Sequence, residues 1–531
     1  MTEQNSRSSY VVLVSLVVAL GGFLMGFDNG VIGGVLGPMT DHFELTPGQQ
    51  GWAVSCLTAG AAIAMAIAGP MADRFGRRTV LMVTALLFTV SALASALAPT
   101  FEILWIARII GGFGVGGALL IAPMYIAEIA PPDQRGKLVS FNQLNIVLGF
   151  LAAFFSNYFI HKSAGGSVSG ESWLTPESEW RLMLGIELVP AALYFLLLLM
   201  VPKSPRWLAA QGRESEALEV LVRANGRASA EEALRGVNES LAKAANMARA
   251  RLKDLFSSKM SRIMLIGLGL GFFQQITGIN AIFYYATAIF ELTGEGRDAA
   301  LLSNIVVGVV NVVFTLIALR LIDRAGRRPL LLFGTAMMAI ALLTNAACFR
   351  SATFEVPDAA VESISQELGA DAGAAYGTLQ GQVFDDQLAF AEAVRVAAAA
   401  LPAEKSTELE GKIQDLAKGA LNINGILVLI AICTFIAGFA ISLGPVMWAM
   451  FSEIFPMHMR GLAISVAGFV NSAVSYLVQQ LFPVGMDSLG PAFVFGIFGS
   501  FAVGAFFFTL FVVPETKGKS LEELEELLVR N

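Results

Sequence analysis

Two adjacent glutamines and an asparagine lie inside an apolar stretch near the middle of the chain. The stretch runs from about residue 263 to 290 and contains Gln274, Gln275 and Asn280, with Gly278 between the amides and two tyrosines behind them. An amide buried without a partner costs roughly 1–3 kcal/mol, so these side chains need a ligand or a protein partner. Uncharged donors and acceptors beside aromatic rings suit a neutral polyol such as a sugar. The alternative is that the amides only bridge neighbouring helices.

A carboxylate and an arginine lie inside two other apolar segments, the carboxylate at Asp28 and the arginine at Arg108. A charged side chain within a membrane is costly and is by default a functional candidate. A carboxylate whose distance to an arginine changes as the protein moves can take up a proton on one side and release it on the other. The alternative is a static ion pair that joins the two segments.

The elements that must position these residues are membrane helices. The chain has 531 residues, of which 55% are hydrophobic and 15% are charged, and this composition excludes an ordinary soluble enzyme. Twelve apolar segments are predicted, and each must be a helix because lipid offers the backbone no water to bond. They fall near residues 10–38, 50–70, 79–98, 102–127, 138–160, 181–201, 262–290, 300–322, 329–349, 422–450, 462–484 and 490–513.

The segments form two sets of six, and loop motifs repeat between the sets. The motif that begins at Asp73 recurs at Asp323, 250 residues later (323 − 73), and the motif that begins at Glu128 recurs at Glu453, 325 residues later (453 − 128). The 75-residue difference (325 − 250) indicates an insert in the second half, which residues 351–420 fit because they are polar and mostly acidic where charged. This pattern predicts an all-α membrane fold of two pseudo-symmetric six-helix halves. The insert is either a small helical cap or partly disordered.

The same pattern divides the chain and orients it. We predict a first bundle over residues 1–201, a charged linker of short amphipathic helices over 202–259, a second bundle over 260–513 and a tail over 514–531. Basic residues follow the even-numbered segments, whereas the loop after segment one has no Lys or Arg. The positive-inside rule then places both termini and the linker in the cytoplasm and the insert outside.

Five motifs, taken in order, resemble those of the major facilitator superfamily and specifically of its sugar porter family, which includes bacterial sugar–proton symporters of the xylose and glucose type. They are Gly69-Pro-Met-Ala-Asp73-Arg-Phe-Gly-Arg-Arg78, Pro202-Lys-Ser-Pro-Arg206-Trp207, Gln274-Gln-Ile-Thr-Gly-Ile-Asn280, Gly444-Pro-Val-Met-Trp448 and Pro514-Glu-Thr-Lys-Gly518. They cover almost the entire chain apart from the insert. The resemblance implies two halves that rock about a central sugar site.

The resemblance also implies roles for individual residues. The residues implied to bind sugar are Gln143 in the first half and, in the second, Gln274, Gln275, Asn280, Asn311, Trp448 and Asn471. Proton coupling falls on Asp28 and Arg108, with Glu187 in segment six as their support. Charges at cytoplasmic helix ends are implied to bridge that side while the site faces outward: Asp73, Arg77, Arg78, Glu128, Arg135, Asp323, Arg327, Arg328, Glu453 and Arg460.

Two further observations bear on the sugar. Trp448 follows Gly444-Pro445, a predicted break in segment ten that would let the tryptophan ring move against the sugar. The alternative to this role is that Trp448 is an ordinary packed or interfacial tryptophan. Met25, Phe150, Lys203 and Ser472 depart from common family residues, and these departures leave the particular hexose or pentose open.

We therefore predict a monomeric transporter, embedded in the lipid bilayer of the plasma (inner) membrane, that imports a monosaccharide with a proton by alternating access. The alternatives are a facilitative sugar uniporter and a non-transporting sugar receptor. Three cysteines and three histidines are dispersed along the chain and give no metal or disulfide pattern. No nucleophile–base pair indicates an enzyme, and we expect no cofactor and no nucleic-acid partner.

Overall fold

The protein forms twelve membrane-spanning segments. The structure, a computed structural model, describes residues 3–131, 134–165, 175–246, 252–257, 260–294, 296–456, 459–519 and 523–524. Within these residues, twelve helical stretches are long and apolar enough to cross a membrane, from Ser9–Phe43 to Pro491–Phe511. The prediction of an all-α fold with twelve transmembrane helices is confirmed.

The first half consists of six spans, and the sixth is interrupted by a turn at Glu187. Its helices are α1 Glu3–Phe43, α2 Pro47–Phe75, α3 Arg77–Ala96, α4 Phe101–Ile129, α5 Arg135–Gly165, α6 Pro176–Gly185 and α7 Leu188–Leu198. Shorter helices then connect the halves: α8 Pro205–Ala210, α9 Glu214–Asn225, α10 Arg227–Asn246 and α11 Leu252–Leu255.

The second half begins with a span that is broken into three helices. These are α12 Ser261–Ile276, α13 Ile279–Tyr284 and α14 Ala286–Glu291, and the next two spans are α15 Arg297–Ala325 and α16 Arg327–Arg350. The insert follows α16 and precedes the last three spans.

The insert folds around its own apolar core, which includes Ile364, Tyr376, Phe390 and Leu409. Its elements are β1 Thr353–Glu355, α17 Asp358–Glu367, α18 Ala370–Gly377, β2 Val383–Phe384, α19 Gln387–Ala398, α20 Ala403–Gly411, α21 Ile413–Ala420 and β3 Leu421–Asn422. Strand β1 pairs antiparallel with both β2 and β3, so the chain leaves and re-enters the membrane region at one place. Nothing in the sequence indicates these three strands. Burial raises the pKa of Tyr376 to about 12, so this core phenol is neutral.

The last three spans complete the second half. They consist of α22 Gly425–Ile441, α23 Leu443–Ile454, α24 Arg460–Ser488 and α25 Pro491–Phe511. Because the spans alternate in direction, helices α8–α11 lie on one side of the membrane region and the insert lies on the other. We call these sides the terminal face and the insert face.

The repeated sequence motifs build the same turn twice on the terminal face. Helix α2 ends before Gly76, whose φ is 91°, and α3 begins at Arg77. Helix α15 ends before Gly326, whose φ is 95°, and α16 begins at Arg327. Glycine adopts such a left-handed backbone without the steric cost of a Cβ atom. The repeat found in the sequence is therefore also a repeat in the structure.

The halves pack against each other through three sets of helices, α1 with α13 and α14, α2 with α24, and α5 with α15. The backbones of α2 and α24 approach closely at Gly51. Glycine allows this approach, because a Cβ at this position would lie 2.2 Å from the Gln480 carbonyl oxygen of α24. Gly51 lies four residues into α2 from the insert face, so the halves are in tight contact near that face.

Candidate functional site

Four amide side chains form a connected set in the second half, between α12, α13 and α24. The Oε1 atom of Gln274 accepts from Asn471 Nδ2 at 2.7 Å and from Gln275 Nε2 at 3.2 Å. Asn280 Nδ2 donates to Gln275 Oε1 at 2.9 Å. Gln274, Gln275 and Asn471 are each less than 9% exposed. We call these four residues the amide cluster, and all four were predicted to bind sugar.

A break in the seventh span positions Asn280. Helix α12 ends at Ile276, and Gly278 has a φ of 87° at the start of α13. A Cβ at Gly278 would come within 2.5 Å of the Phe498 ring, so both the backbone angle and the close packing require glycine. The break turns Asn280 back towards Gln275, five residues earlier in the chain.

A second break interrupts the tenth span, as predicted, but two residues earlier than the Gly444-Pro445 pair. Ser442 separates α22 from α23 with a φ of −116° and a ψ of −98°. The Leu443 carbonyl oxygen accepts from Gln274 Nε2 at 2.8 Å. Polar backbone released by a broken membrane helix needs such partners. The break therefore joins the tenth span to the amide cluster.

The other three predicted sugar-binding residues lie apart from this hydrogen-bonded set. Gln143 on α5 is half-buried and Asn311 on α15 is buried. Within the described part of the chain, neither side chain is hydrogen-bonded to the cluster. Trp448 on α23 is 41% exposed, and its ring packs edge-on against Phe451 with centroids 5.6 Å apart.

Two residues that sequence reasoning missed extend the amide cluster along α24. Ser475 Oγ accepts from Asn280 Nδ2 and from Gln479 Nε2, both at 2.7 Å. Asn471, Ser475 and Gln479 recur every four residues and therefore share one face of the helix. This polar stripe in an apolar segment was a sequence signal that could have identified both residues.

The first half buries an ion pair. Asp28 on α1 and Arg108 on α4 are each 2% exposed, and Arg108 Nη1 donates to Asp28 Oδ1 at 2.8 Å. A Cβ on Gly111 would lie 3.1 Å from Asp28 Oδ2, so glycine leaves room for the carboxylate. The pairing of Asp28 with Arg108 that the sequence predicts is therefore present in the structure.

Glu187 lies near the ion pair, at the turn between α6 and α7. It is 4% exposed and within electrostatic range of both Asp28 and Arg108. Glu187 Oε1, Asp28 Oδ2 and Arg108 Nε have no hydrogen-bond partner among the described residues. One guanidinium thus pairs with one of two nearby carboxyl groups, and both carboxyl groups retain an unused acceptor, which suits a site that exchanges a proton.

The charges on the terminal face pair within each half in the same way. Arg77 Nε donates to Glu128 Oε1 at 3.1 Å, and Arg327 Nε donates to Glu453 Oε1 at 3.1 Å. The second oxygen of Glu128 accepts from Ser204, and that of Glu453 accepts from Thr516. The serine and threonine come from the Pro-Lys-Ser-Pro and Pro-Glu-Thr-Lys motifs. Each half therefore has one arginine, one glutamate and one hydroxyl in equivalent places.

The remaining terminal-face charges have other partners. Asp73 and Asp323 are exposed and pair with Arg77 and Arg327 one helical turn away, at 3.0 and 3.2 Å. The other arginines donate to carbonyl oxygens, Arg78 to Leu198 and Leu199, Arg328 to Leu510, and Arg460 to Phe455. The side chain of Arg135 lies outside the described residues.

A polar contact near the insert face joins the two halves. Arg297 at the start of α15 donates through Nη2 to Glu179 Oε1 of α6 at 3.0 Å and to the Gly34 carbonyl of α1 at 2.8 Å. His161 of α5 lies 3.0 Å from Glu179 and 3.2 Å from Asp298. The Glu179 side chain is only 4% exposed. We call these residues the latch.

Three hydrogen bonds between α2 and α24 also cross between the halves. Thr58 Oγ1 donates to Gln479 Oε1 at 2.9 Å, and Ser55 Oγ donates to Gln480 Oε1 at 2.8 Å. Gln480 Nε2 in turn donates to the Gly48 carbonyl at 2.9 Å. Together with the latch, these bonds hold the halves together near the insert face.

Two pseudo-symmetric six-helix halves around buried amides and a buried ion pair define a secondary transporter for a small polar solute. No group of three or more His, Cys, Asp or Glu side chains in the described ranges has metal-binding geometry. A family model described as "Sugar (and other) transporter" matches residues 14–362 and 408–528. The chain belongs to this sugar transporter family, and the resemblance drawn from its motifs is confirmed.

Individual relatives match over nearly their whole length. The chain is 36% identical to the arabinose-proton symporter of Bacillus subtilis (strain 168) over 521 residues, which is 98% of this chain and 96% of that protein. It is 33% identical to the D-xylose-proton symporter of Escherichia coli (strain K12) over 554 aligned residues, with coverages of 98% and 96%. These relatives are transporters.

Solved structures of the xylose transporter XylE from E. coli share the fold. The inward-open conformation matches with a TM-score of 0.72 and 31% identity, over 98% of this chain and 100% of that chain. The complex of XylE with 6-bromo-6-deoxy-D-glucose matches with a TM-score of 0.69 and 32% identity, over 98% and 100%.

Proposed function

We propose that this protein imports a monosaccharide together with a proton by alternating access, with the sugar held mainly by the second half and the proton carried by the first. The relatives described as arabinose-proton and D-xylose-proton symporters support this activity and favour a pentose or a similar aldose. The buried ion pair Asp28–Arg108 carries the proposal, since a charged side chain inside the membrane region is costly and is by default a functional candidate.

The amide cluster is suited to sugar hydroxyls because it offers both donors and acceptors without charge. Gln274, Gln275, Asn280 and Asn471 form the preorganised part of the proposed site. We assign supporting roles to Gln143, Asn311 and Trp448, which reach the sugar from other helices when the halves close around it. Trp448 lies six residues after the Ser442 break and is 41% exposed, and we propose that its ring turns towards the sugar on such a closure.

Coupling in this scheme depends on Asp28 being protonated when it separates from Arg108. With the 2.8 Å contact formed, the guanidinium favours the charged carboxylate, and movement of α1 against α4 removes that preference. Glu187 competes for the same guanidinium from the turn between α6 and α7. A proton bound on one side of the membrane is thereby released on the other.

The terminal face is proposed to be cytoplasmic, and the membrane to be the plasma (inner) membrane. Basic residues concentrate on that face at Arg74, Arg77, Arg78, Arg324 and Arg327, as the positive-inside rule requires. The contacts near the insert face then describe a conformation closed to the outside. In the outward-facing conformation, we propose that the terminal-face charges bridge the two halves. We propose a monomer as the functional unit.

The activity is tested in proteoliposomes by following pH while aldoses such as D-xylose and arabinose are added. Sugar-driven proton uptake by the wild type, lost in Asp28→Asn while counterflow exchange of sugar persists, is the expected result. Sugar equilibration without proton movement in either protein would contradict coupling and leave a facilitative uniporter in which Asp28 only pairs with Arg108.

A further inference from the structure

We propose that Ser475, Gln479 and Thr58 form a hydrogen-bond relay through which sugar binding in the second half controls closure against the first half. The relay rests on the proposed function, since it starts at the amide cluster. Thr58 and Gln479 are positioning residues in this scheme, because neither needs to touch the sugar.

The relay begins at Asn280, whose amide nitrogen donates both of its hydrogens to protein acceptors. One goes to Gln275 Oε1 at 2.9 Å and the other to Ser475 Oγ at 2.7 Å. An amide nitrogen has two hydrogens and no more. A sugar hydroxyl that accepts from Asn280 must therefore replace one of these two bonds.

Ser475 Oγ is the point where two donors meet. It accepts from Asn280 Nδ2 and from Gln479 Nε2, both at 2.7 Å. Two donors on one oxygen weaken each other, whereas donors in series strengthen each other. When a sugar draws Asn280 away from Ser475, the bond from Gln479 to Ser475 becomes stronger.

Gln479 carries this change across the interface. Its side chain is 0% exposed, and Thr58 Oγ1 of the first half donates to its Oε1 at 2.9 Å. Thr58, Gln479 and Ser475 are thus donors and acceptors in series, so a stronger bond at Ser475 strengthens the bond at Thr58. Tyr285 Oη also donates to the Gln479 backbone oxygen at 2.9 Å, which fixes this part of α24 to the seventh span.

The bond between Thr58 and Gln479 can exist only while the outer parts of α2 and α24 are together. A ligand shifts a conformational equilibrium only through a difference in its interaction free energy with the two states. The relay supplies that difference, because the bond it strengthens is present only when the insert face is closed. Sugar bound at Asn280 therefore favours closure of the insert face.

The same interface offers a matched control. Ser55 Oγ donates to Gln480 Oε1 at 2.8 Å. Ser55 lies three residues before Thr58 on α2, and Gln480 lies one residue after Gln479 on α24. Gln480 Nε2 donates to the Gly48 carbonyl, back into the first half. This second bond also joins the halves, but in the described residues it has no hydrogen-bond link to the amide cluster.

The experiment compares Thr58→Val and Gln479→Leu with Ser55→Ala in full-length protein reconstituted in lipid nanodiscs. Spin labels are attached at Asp41→Cys and Asp487→Cys, which are both exposed near the insert face and lie on opposite halves. The distance between the two labels, measured by pulsed electron double resonance, reports closure of the insert face. Cys56, Cys348 and Cys433 are first replaced by Ala. Distances are measured without sugar and with saturating D-xylose or arabinose, and the sugar Kd is measured by equilibrium binding of the radiolabelled sugar.

Wild type is expected to shift towards the short distance when sugar is added. Thr58→Val should reduce the sugar-dependent change in the closed-to-open ratio by about fivefold, because a bond buried in an apolar environment then loses a cooperative strengthening of about 10–30%. Gln479→Leu should do the same. Ser55→Ala should change the starting ratio but keep the sugar-dependent change within about twofold of wild type.

Equal sugar-dependent changes in Thr58→Val and Ser55→Ala would overturn the relay, as would a wild type that transports sugar without any change in distance. A wild type that neither binds nor takes up any aldose would overturn the proposed function itself. The two failures are therefore distinguishable by the uptake measurement on wild-type protein.

Discussion

The two halves share a helix order, a glycine turn and a terminal-face charge cluster, but they bury different chemistry. The first half buries the Asp28–Arg108 ion pair with Glu187 nearby, whereas the second buries four neutral amides. A carboxylate can exchange a proton, and amides can bind hydroxyls without changing charge. The comparison shows one scaffold used twice, and in the proposed function each half supplies the side chains for one of the two transported species.

In the proposed function proton and sugar occupy different halves, so coupling between them must cross the interface. In this conformation the interface is polar near the insert face, where Arg297 meets Glu179 and Thr58 meets Gln479. On the terminal face, Arg77–Glu128 and Arg327–Glu453 each stay within one half. In this conformation, the insert-face contacts are thus the place where a change in one half can affect the other half.

The largest expected effect comes from breaking the ion pair of the first half. Arg108→Gln leaves Asp28 buried without its cation, and we expect the free energy of unfolding to fall by about 3–5 kcal/mol at neutral pH. The double variant with Asp28→Asn should recover most of this loss. Chemical denaturation in detergent measures both, and a double variant no more stable than the single one would contradict a buried charge at Asp28.

The next effect tests the contact that joins the halves. Arg297→Gln leaves the Glu179 carboxylate, 4% exposed, without its guanidinium partner, and we expect about 1–3 kcal/mol less stability for the closed insert face. Accessibility of a cysteine placed near that face to a membrane-impermeant reagent reports the change. Arg350→Gln, which alters an exposed arginine at the end of α16, is the matched control and should have no effect.

A smaller effect is expected from the amide cluster, where no charge is lost. Gln275→Leu should raise the sugar Kd by about tenfold with little change in proton binding, since one neutral side chain loses the hydrogen bonds that we propose it makes to the sugar. Asn345→Leu is the control, because Asn345 is a buried amide of α16 in the same half with no hydrogen-bond partner in the described part of the chain. Equal weakening in both variants would show that the loss is structural.

The smallest effect concerns the insert, which has no counterpart in the first half. Replacing residues 356–419 by Asn-Gly would join β1 directly to β3, because Phe354 already pairs with Leu421 and Asn-Gly closes a two-residue hairpin. Sugar uptake should stay within about twofold of wild type, since the insert has its own core. A loss of uptake with normal amounts of membrane-inserted protein would place the insert within the transport machinery.

The sequence by itself determined the membrane fold, the twofold repeat and the residue types of both buried sites. Lipid permits only helices for such long apolar segments, so hydropathy was sufficient to find all twelve spans. Polar residues inside them, such as Asp28, Gln274 and Gln275, stand out because burial in an apolar environment is costly. Their spacing within family motifs then indicated a sugar porter.

Only the tertiary structure decided which of these groups meet. Asn280 contacts Ser475 across 195 residues of sequence, and Glu179 contacts Arg297 across 118. The break in the tenth span falls at Ser442 rather than at Gly444-Pro445, and the Leu443 carbonyl beside it accepts from Gln274. Hydropathy specifies that a helix lies in the membrane but not its rotation about its own axis, and that rotation, set by packing, selects the partners of each polar side chain.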